Sequence, residues 1–389
     1  MRIRDSSPSV WYRVSSSNGT AAPADLRIVE IDPSRDSRWD DFIRAHPDGL
    51  VYHHSAWLRT LACEYDNGSV ALACADADGR LHGILPLAYT RGTPFGLGGA
   101  GAGRRLASLP RTPLAGPLGT NRAVAALLAA AMERVAAEPG VRLQIKPAGE
   151  LDEVPGLMEA PWRMNYVLDL PDDPDKIRFG SSHHHARIKW AANKATKSGV
   201  HVRPAESEDE LRAWYRLYLN VDRRRLQPPR PYRFFEAAWR LLRPLGMMRL
   251  LVAEQTIGET SEVIAGSVLL MLGRTVFYAF NGSLPEALHA HPNDLIQWHA
   301  IHQASAEGFA RYDFGEVADA NHDLAAFKEK WGTEARRLRR YYYPAPPDVE
   351  SDYPSLGSDN FLSRAATAGW HHLPFAATTY IGDRVYRYF

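Results

Sequence analysis

The chain has 389 residues, enough for more than one domain, because single hydrophobic cores stop growing well below that size. Hydrophobic residues make up 45% and charged residues 23%, ordinary globular composition, and the formal net charge is only +1. That balance excludes a polycation, so anion binding has to come from local clusters. Two cysteines, Cys63 and Cys74, cannot build a disulfide framework. The polar start lacks the apolar run of a signal peptide, and no stretch approaches the roughly 20 apolar residues that span a bilayer. A cytoplasmic location is the expectation.

Residues 1–25 read as a disordered leader, with Val10-Trp11-Tyr12 its one apolar cluster. Leu26–Ile31 is β-branched and predicts a strand, and Asp40–Ala45 and Trp57–Tyr65 have helical pattern. Val70–Cys74 and Leu81–Tyr89 flank Asp76-Ala77-Asp78-Gly79 and predict a hairpin. After the Gly-rich stretch Gly92–Gly103, Asn121 is placed to cap a long helix ending near Pro139-Gly140, and Val141–Ile145 alternates as a strand.

The second half repeats this order. Glu208–Asn220 predicts a helix, Met248–Ala253 a strand, and Val263–Leu272 with Thr275–Asn281 a hairpin. Asn293 is placed to cap a helix over Asp294–Glu307, Gly308 to stop it, and Ala310–Phe314 forms the next strand. The repeat of helices, hairpin, capped helix and strand argues for two copies of one domain. The expected fold class is mixed α+β, each domain a mixed central sheet flanked by helices. The expected boundaries are a first domain over 26–175, a basic connecting segment over 176–204, a second domain over 205–345, and a linker and tail over 346–389. In that tail Trp370–Phe389 is aromatic and is expected to dock onto the body.

Lys176–Pro204 holds seven basic residues and no acidic one. At about 100° per residue, Ile188, Ala191, Ala192 and Ala195 share one helix face while Arg187, Trp190, Lys194 and Lys197 share another. Such a cationic stripe suits phosphate oxygens, and a plain solvated face is the alternative. Arg223, Arg224, Arg225, Arg230 and Arg233 form a second cluster, and Arg336, Arg337, Arg339 and Arg340 a third. If they converge they form an anion-binding groove.

Tyr312-Asp313-Phe314-Gly315-Glu316, followed by Phe327-Lys328-Glu329-Lys330-Trp331-Gly332, carries the most chemistry. A strand ending in Asp313 delivers carboxylates to a loop at Gly315. Phe327 and Trp331, four apart, anchor a helix beside which Lys328 projects. A lysine held so can stabilise a tetrahedral acyl-transfer intermediate. The alternative is that Lys328 and Lys330 are surface charges and Asp313 a helix cap. His183-His184-His185 cannot easily chelate one ion, Asp76–Gly79 lacks the acid a calcium loop needs, and no Gly-x-Ser-x-Gly elbow occurs, so neither a metal site nor a serine hydrolase is expected.

The pattern Tyr-Asp-Phe-Gly, then Phe-Lys-x-x-Trp-Gly, then a Tyr-rich strand resembles the end of the second domain of FemAB/FemX-type aminoacyltransferases. Tyr52–Trp57, Gly83–Leu87, Lys194–Val200, Tyr278–Ser283 and Pro292–Ala300 are similar to other stretches of that family. The resemblance covers about residues 26–345. It implies tandem GNAT-type domains moving an acyl or aminoacyl group onto an amine of a cell-envelope or polysaccharide precursor. Lys328 matches the lysine thought to stabilise the transition state, and Asp313 or Glu316 would orient or deprotonate the amine. Arg59, Arg187, Lys194 and Lys197 would hold substrate phosphates, with Tyr278 and Asn281 in the family's central strand. No tightly bound cofactor is expected; the acyl donor is either aminoacyl-tRNA or acyl-CoA. The first lacks the coiled-coil insertion seen in several family members, and the second lacks a Gly-rich loop opening the helix at Asp294. Expected partners are a phosphate-bearing small molecule or lipid-linked precursor, with tRNA and peripheral membrane contact compatible. An acyl-CoA-dependent N-acyltransferase and a non-catalytic anion-binding protein are the alternatives.

Overall fold

The computed structural model describes residues 10–14, 25–64, 68–92, 103–224, 229–257, 259–345 and 375–385. Its contacts divide the chain into two units. The first runs to Trp162 and takes back the chain from Leu338 to the end of the last strand. The second runs from Arg163 to Arg337 and includes the C-terminal helix. The break thus falls at 162/163, where the sequence suggested 175/176, and the basic segment 176–204 lies wholly within the second unit.

The first unit contains β1 (Val10–Val14), β2 (Leu26–Glu30), α1 (Ser37–Ala45), α2 (Ser55–Ala62), β3 (Ser69–Ala75), β4 (Leu81–Tyr89), β5 (Arg105–Ala107), β6 (Leu118–Gly119), α3 (Asn121–Ala136) and β7 (Arg142–Ile145). β1 to β5 pair antiparallel in chain order, β5 and β7 pair parallel, and the end of β14 (Glu334–Tyr343) pairs antiparallel with β7. α3 crosses between the parallel strands, as parallel pairing requires, and buries Ala123, Ala126, Leu127 and Ala131 on the sheet. Its cap is Thr120, not Asn121: the Thr120 side chain accepts from Ala123 N–H, and Asn121 already begins the helix. β1 lies inside the stretch expected as a disordered leader and adds an edge strand to β2.

The second unit contains β8 (Met158–Asp169, its first residues in the other unit), α4 (Ser182–Lys197), β9 (Val200–Pro204), α5 (Glu208–Arg224), α6 (Tyr232–Leu242), β10 (Met248–Ile257), β11 (Thr260–Leu272), β12 (Thr275–Ser283), α7 (Pro292–Ala306), β13 (Arg311–Val317), α8 (His322–Glu329) and α9 (Phe375–Val385). β9 to β12 pair antiparallel in chain order, β12 and β13 pair parallel across α7, and β8 closes the sheet antiparallel to β13. Both units therefore follow one plan. α7 begins at Pro292 with His291 in the left-handed region before it, so Asn293 is not the cap. Proline suits the first helical turn because its missing N–H is an orphan there anyway. α9 packs by Gly382 against Pro229 and pairs Asp383 with Arg233, so this part of the aromatic tail docks as expected.

Candidate functional site

The parallel pairing of β12 with β13 lasts three residues, Thr275 to Phe277 against Arg311 to Asp313. Beyond it each strand carries an irregularity. In β12 the register against β11 steps from Tyr278 to Phe280, leaving Ala279 as the extra residue. In β13 two residues between Asp313 and Glu316, Phe314 and Gly315, face the single Tyr166 on β8, and Gly315 takes φ +79. A glycine holds that conformation without the strain a Cβ would bring. Bulges of this kind end pairing and re-aim side chains.

The second bulge gathers the charged groups. Asp313 is buried, 5% exposed, and its Oδ1 accepts from Gly315 N–H at 2.6 Å while Oδ2 accepts from Asn165 Nδ2 at 3.0 Å. Burial pushes its carboxyl above the usual range, opposed by those two hydrogen bonds and by the Lys328 charge. Lys328, 4% exposed, donates from Nζ to Gly315 O at 2.9 Å and Glu316 O at 3.3 Å. Its ammonium also lies 5.8 Å from the centre of the Tyr166 ring. A buried cation is tolerated when such acceptors replace water. Glu316 accepts from Arg163 at 3.2 Å.

These positions correct parts of the sequence reading. Asp313 and Glu316 lie within β13 on either side of a bulge; they are not delivered to a loop, and Asp313 caps no helix. Lys328 is buried and is not a surface charge, while Lys330 bonds Asp294 at 2.5 Å. Trp331 is the buried anchor, packed on Phe179 and Phe314; Phe327 is only half-buried, with Lys330 over its ring. Tyr278 follows the last paired residue of β12 and packs its ring edge on Phe314. Asn281, half-buried, stands three residues further on, opposite Ser267. Asn165, Arg163 and Tyr166 come from β8, which sequence reasoning missed; a polar Asn165 beside Tyr166-Val167-Leu168 was the available signal.

The basic clusters differ in their local partners. Arg187 and Lys197 are exposed on α4, and Lys194 lies over the Trp190 ring. Arg59 is exposed on α2 of the first unit. Arg336 pairs with Glu334, Arg337 with Asp319, and Arg339 with Glu150 and Glu159, while Arg340 donates to Pro113 O. Arg230 is buried over Phe234, and the side chains of Arg223, Arg224 and Arg225 lie outside the described residues, as does 93–102 of the Gly-rich stretch. The third cluster is thus consumed by local partners and supplies no groove.

The first unit has a matching point that the sequence did not reveal. β5 and β7 also pair over three residues, ending at Ala107 with Gln144. Lys146 follows, 2% exposed, its Nζ bonded to Leu109 O and to Thr112 O. Leu109 and Arg111 both take positive φ, 59° and 55°, a conformation that surrounding structure has to enforce. Trp57 Nε1 on Thr112 Oγ1, His53 Nε2 on Gly116 O and Arg340 on Pro113 O hold the same loop.

Comparison with known proteins matches this geometry. Residues 182–329, inside the second unit, match the acetyltransferase (GNAT) domain family. No curated protein matches the sequence. Among solved structures, FemX is 17% identical with a TM-score of 0.62, covering 81% of this chain and 96% of that one. The C-terminal domain (DUF2156) of a putative lysylphosphatidylglycerol synthetase from Agrobacterium fabrum is 10% identical, with a TM-score of 0.53 over 81% and 93%. L-PGS from Bacillus licheniformis is 12% identical, with a TM-score of 0.51 over 87% and 96%. The chain is a mixed α+β protein of two tandem GNAT-like units. Its particular architecture is that of FemX, a likeness of fold at this identity.

Proposed function

We propose that the protein transfers an acyl or aminoacyl group to an amine of a cell-envelope or polysaccharide precursor, with the chemistry in the second unit. The observation that carries this reading is the parting of β12 from β13 beyond Phe277 and Asp313, with Lys328 and Asp313 buried at that point. The ends of parting strands offer backbone groups to a ligand, and the buried charges act in a medium where they are weakly screened. The amine attacks the acyl carbon, Asp313 takes its proton, and the Lys328 charge balances the oxyanion. The tetrahedral intermediate then expels its leaving group, the ribose oxygen of tRNA or the sulfur of CoA, which takes up the proton held by Asp313. Burial raises the affinity of this carboxyl for a proton, which suits it to accept one. Glu316, fixed by Arg163, orients the amine; Tyr278 and Asn281 line the acyl end. Arg187, Lys194 and Lys197 on α4 meet phosphates of the acceptor precursor, and the reaction takes place in the cytoplasm.

The donor we favour is aminoacyl-tRNA. The first turn of α7 carries Asp294, paired to Lys330 and free of glycine, which disfavours a pyrophosphate at that helix start. The names of the similar structures, FemX and lysylphosphatidylglycerol synthetase, support an envelope acceptor. A thermal-shift screen against acyl-CoAs, charged tRNA and UDP-linked sugars tests the donor and acceptor, since a ligand of the folded state raises its stability. Transfer assays on Lys328→Ala test the chemistry. Loss of transfer with the fold intact is expected; undiminished turnover sinks the assignment.

A further inference from the structure

Helix α4 divides into two faces. Ile188, Ala191, Ala192 and Ala195 are buried. The other face presents Arg187, Lys189, Trp190, Lys194 and Lys197, and no acid occurs anywhere in the helix. Trp190 is 55% exposed, costly for so large an apolar group unless something covers it. Several cations elsewhere in this unit are paired: Arg203 with Glu210 and Glu254, Arg240 with Glu208, Arg249 with Glu307. Arg187, Lys189, Lys194 and Lys197 have no carboxylate partner among the described residues. The acids on facing α7 are spoken for, Asp294 by Lys330 and Glu307 by Arg249.

We propose that this face of α4 seats the protein on an anionic bilayer surface, with Trp190 entering the headgroup region and the four cations meeting lipid phosphates. Arg187, Lys194 and Lys197 run about 15 Å along one side of the helix, with Lys189 further round its exposed half, a spread of cations suited to a flat anionic surface. Tryptophan favours the interface because its ring is apolar while its N–H stays wet. RNA fits the ring less well. Lys194 already lies over it, 5.1 Å from its centre, and His291 touches it edge-on at 5.4 Å, so a stacking base has to displace a neighbour. No described helix is long and apolar enough to cross a membrane, so contact of this kind is peripheral. The inference deepens the proposed function by making the acceptor lipid-linked, and it rests on that reading only there.

The test is flotation of the full chain with phosphatidylcholine vesicles, with and without phosphatidylglycerol. Binding is expected only with the anionic lipid, and raised salt should release it. Each cation near such a surface is worth about fivefold in affinity, so Lys189→Ala with Lys197→Ala should weaken binding by about 25-fold. Trp190→Ala should weaken it too, with circular dichroism unchanged. Wild-type protein that ignores anionic vesicles, or variants that bind as well as wild type, overturn the proposal. So does tRNA that binds the same face more tightly and strips the protein from vesicles. Flotation needs no turnover, so failure here leaves the transfer chemistry untouched, and an inactive enzyme that still floats indicts only the transfer reading.

Discussion

The two units meet the same structural problem with different residues. In each, a three-residue parallel pair ends beside a buried polar side chain, Gln144 in the first and Asp313 in the second, at matching register. Each is hydrogen-bonded by a residue of the closing antiparallel strand, Gln144 to Tyr342 Oη and Asp313 from Asn165. A buried lysine then clamps backbone carbonyls, Lys146 in a left-handed loop and Lys328 in a bulge. The lesson lies in the one exchange of chemistry: the first unit has a neutral amide where the second has an ionisable acid. Only the second offers a group at this point that can take up a proton.

The largest effect that sharpens this contrast is on rate. Asp313→Asn should lower transfer by about 10² to 10⁴, the usual worth of a positioned base. Gln144→Met should leave turnover per folded molecule within a few-fold. Equal losses in steady-state assays of the two variants would break the comparison. Next in size is the clamp of the first unit: Lys146→Met strands two buried carbonyls and should cost about 2–4 kcal/mol in urea unfolding, with turnover of the folded fraction kept.

His53 gives a pH signature to the same unit. Burial lowers its pKa from 6.5 to about 4, and its Nδ1 accepts from Leu50 N–H, so protonation sets two donors face to face. A lowered folded-state value means stability present above pH 6.5 and lost as pH falls toward 4, on the order of 3 kcal/mol in full. His53→Gln should flatten that loss in unfolding curves taken across the window. The smallest effect concerns Asp313. Its raised carboxyl stabilises the fold below the ordinary Asp range, and that contribution is lost as pH rises through the folded value. Asp313→Asn should therefore gain stability relative to wild type on going from acid to neutral pH. A constant difference in melting temperature would contradict the burial argument.

Local pattern made much of the fold legible. The hairpin at β3 and β4 and the strand pair β11 and β12 stand where alternation and Gly79 and Gly273 put them. The buried face of α4 is the one its 3.6-residue period defines. These features depend on residues a few positions apart, so a short window carries them.

Tertiary structure alone decided the site. Asn165 reaches Asp313 across 148 residues because β8 closes the second sheet, and Tyr342 reaches Gln144 across 198 because β14 closes the first. The choice between a surface lysine and a buried one at 328 turned on the carbonyls of a bulge formed by β13 against β8. Three arginines of β14 that read as an anion groove were consumed by Glu334, Asp319 and Glu159. Composition counts charges, but only the folded chain settles which are neutralised, because pairing depends on distance in space and burial on what packs above. For that reason α4, basic and left unpaired, stands out in the structure more clearly than in the sequence.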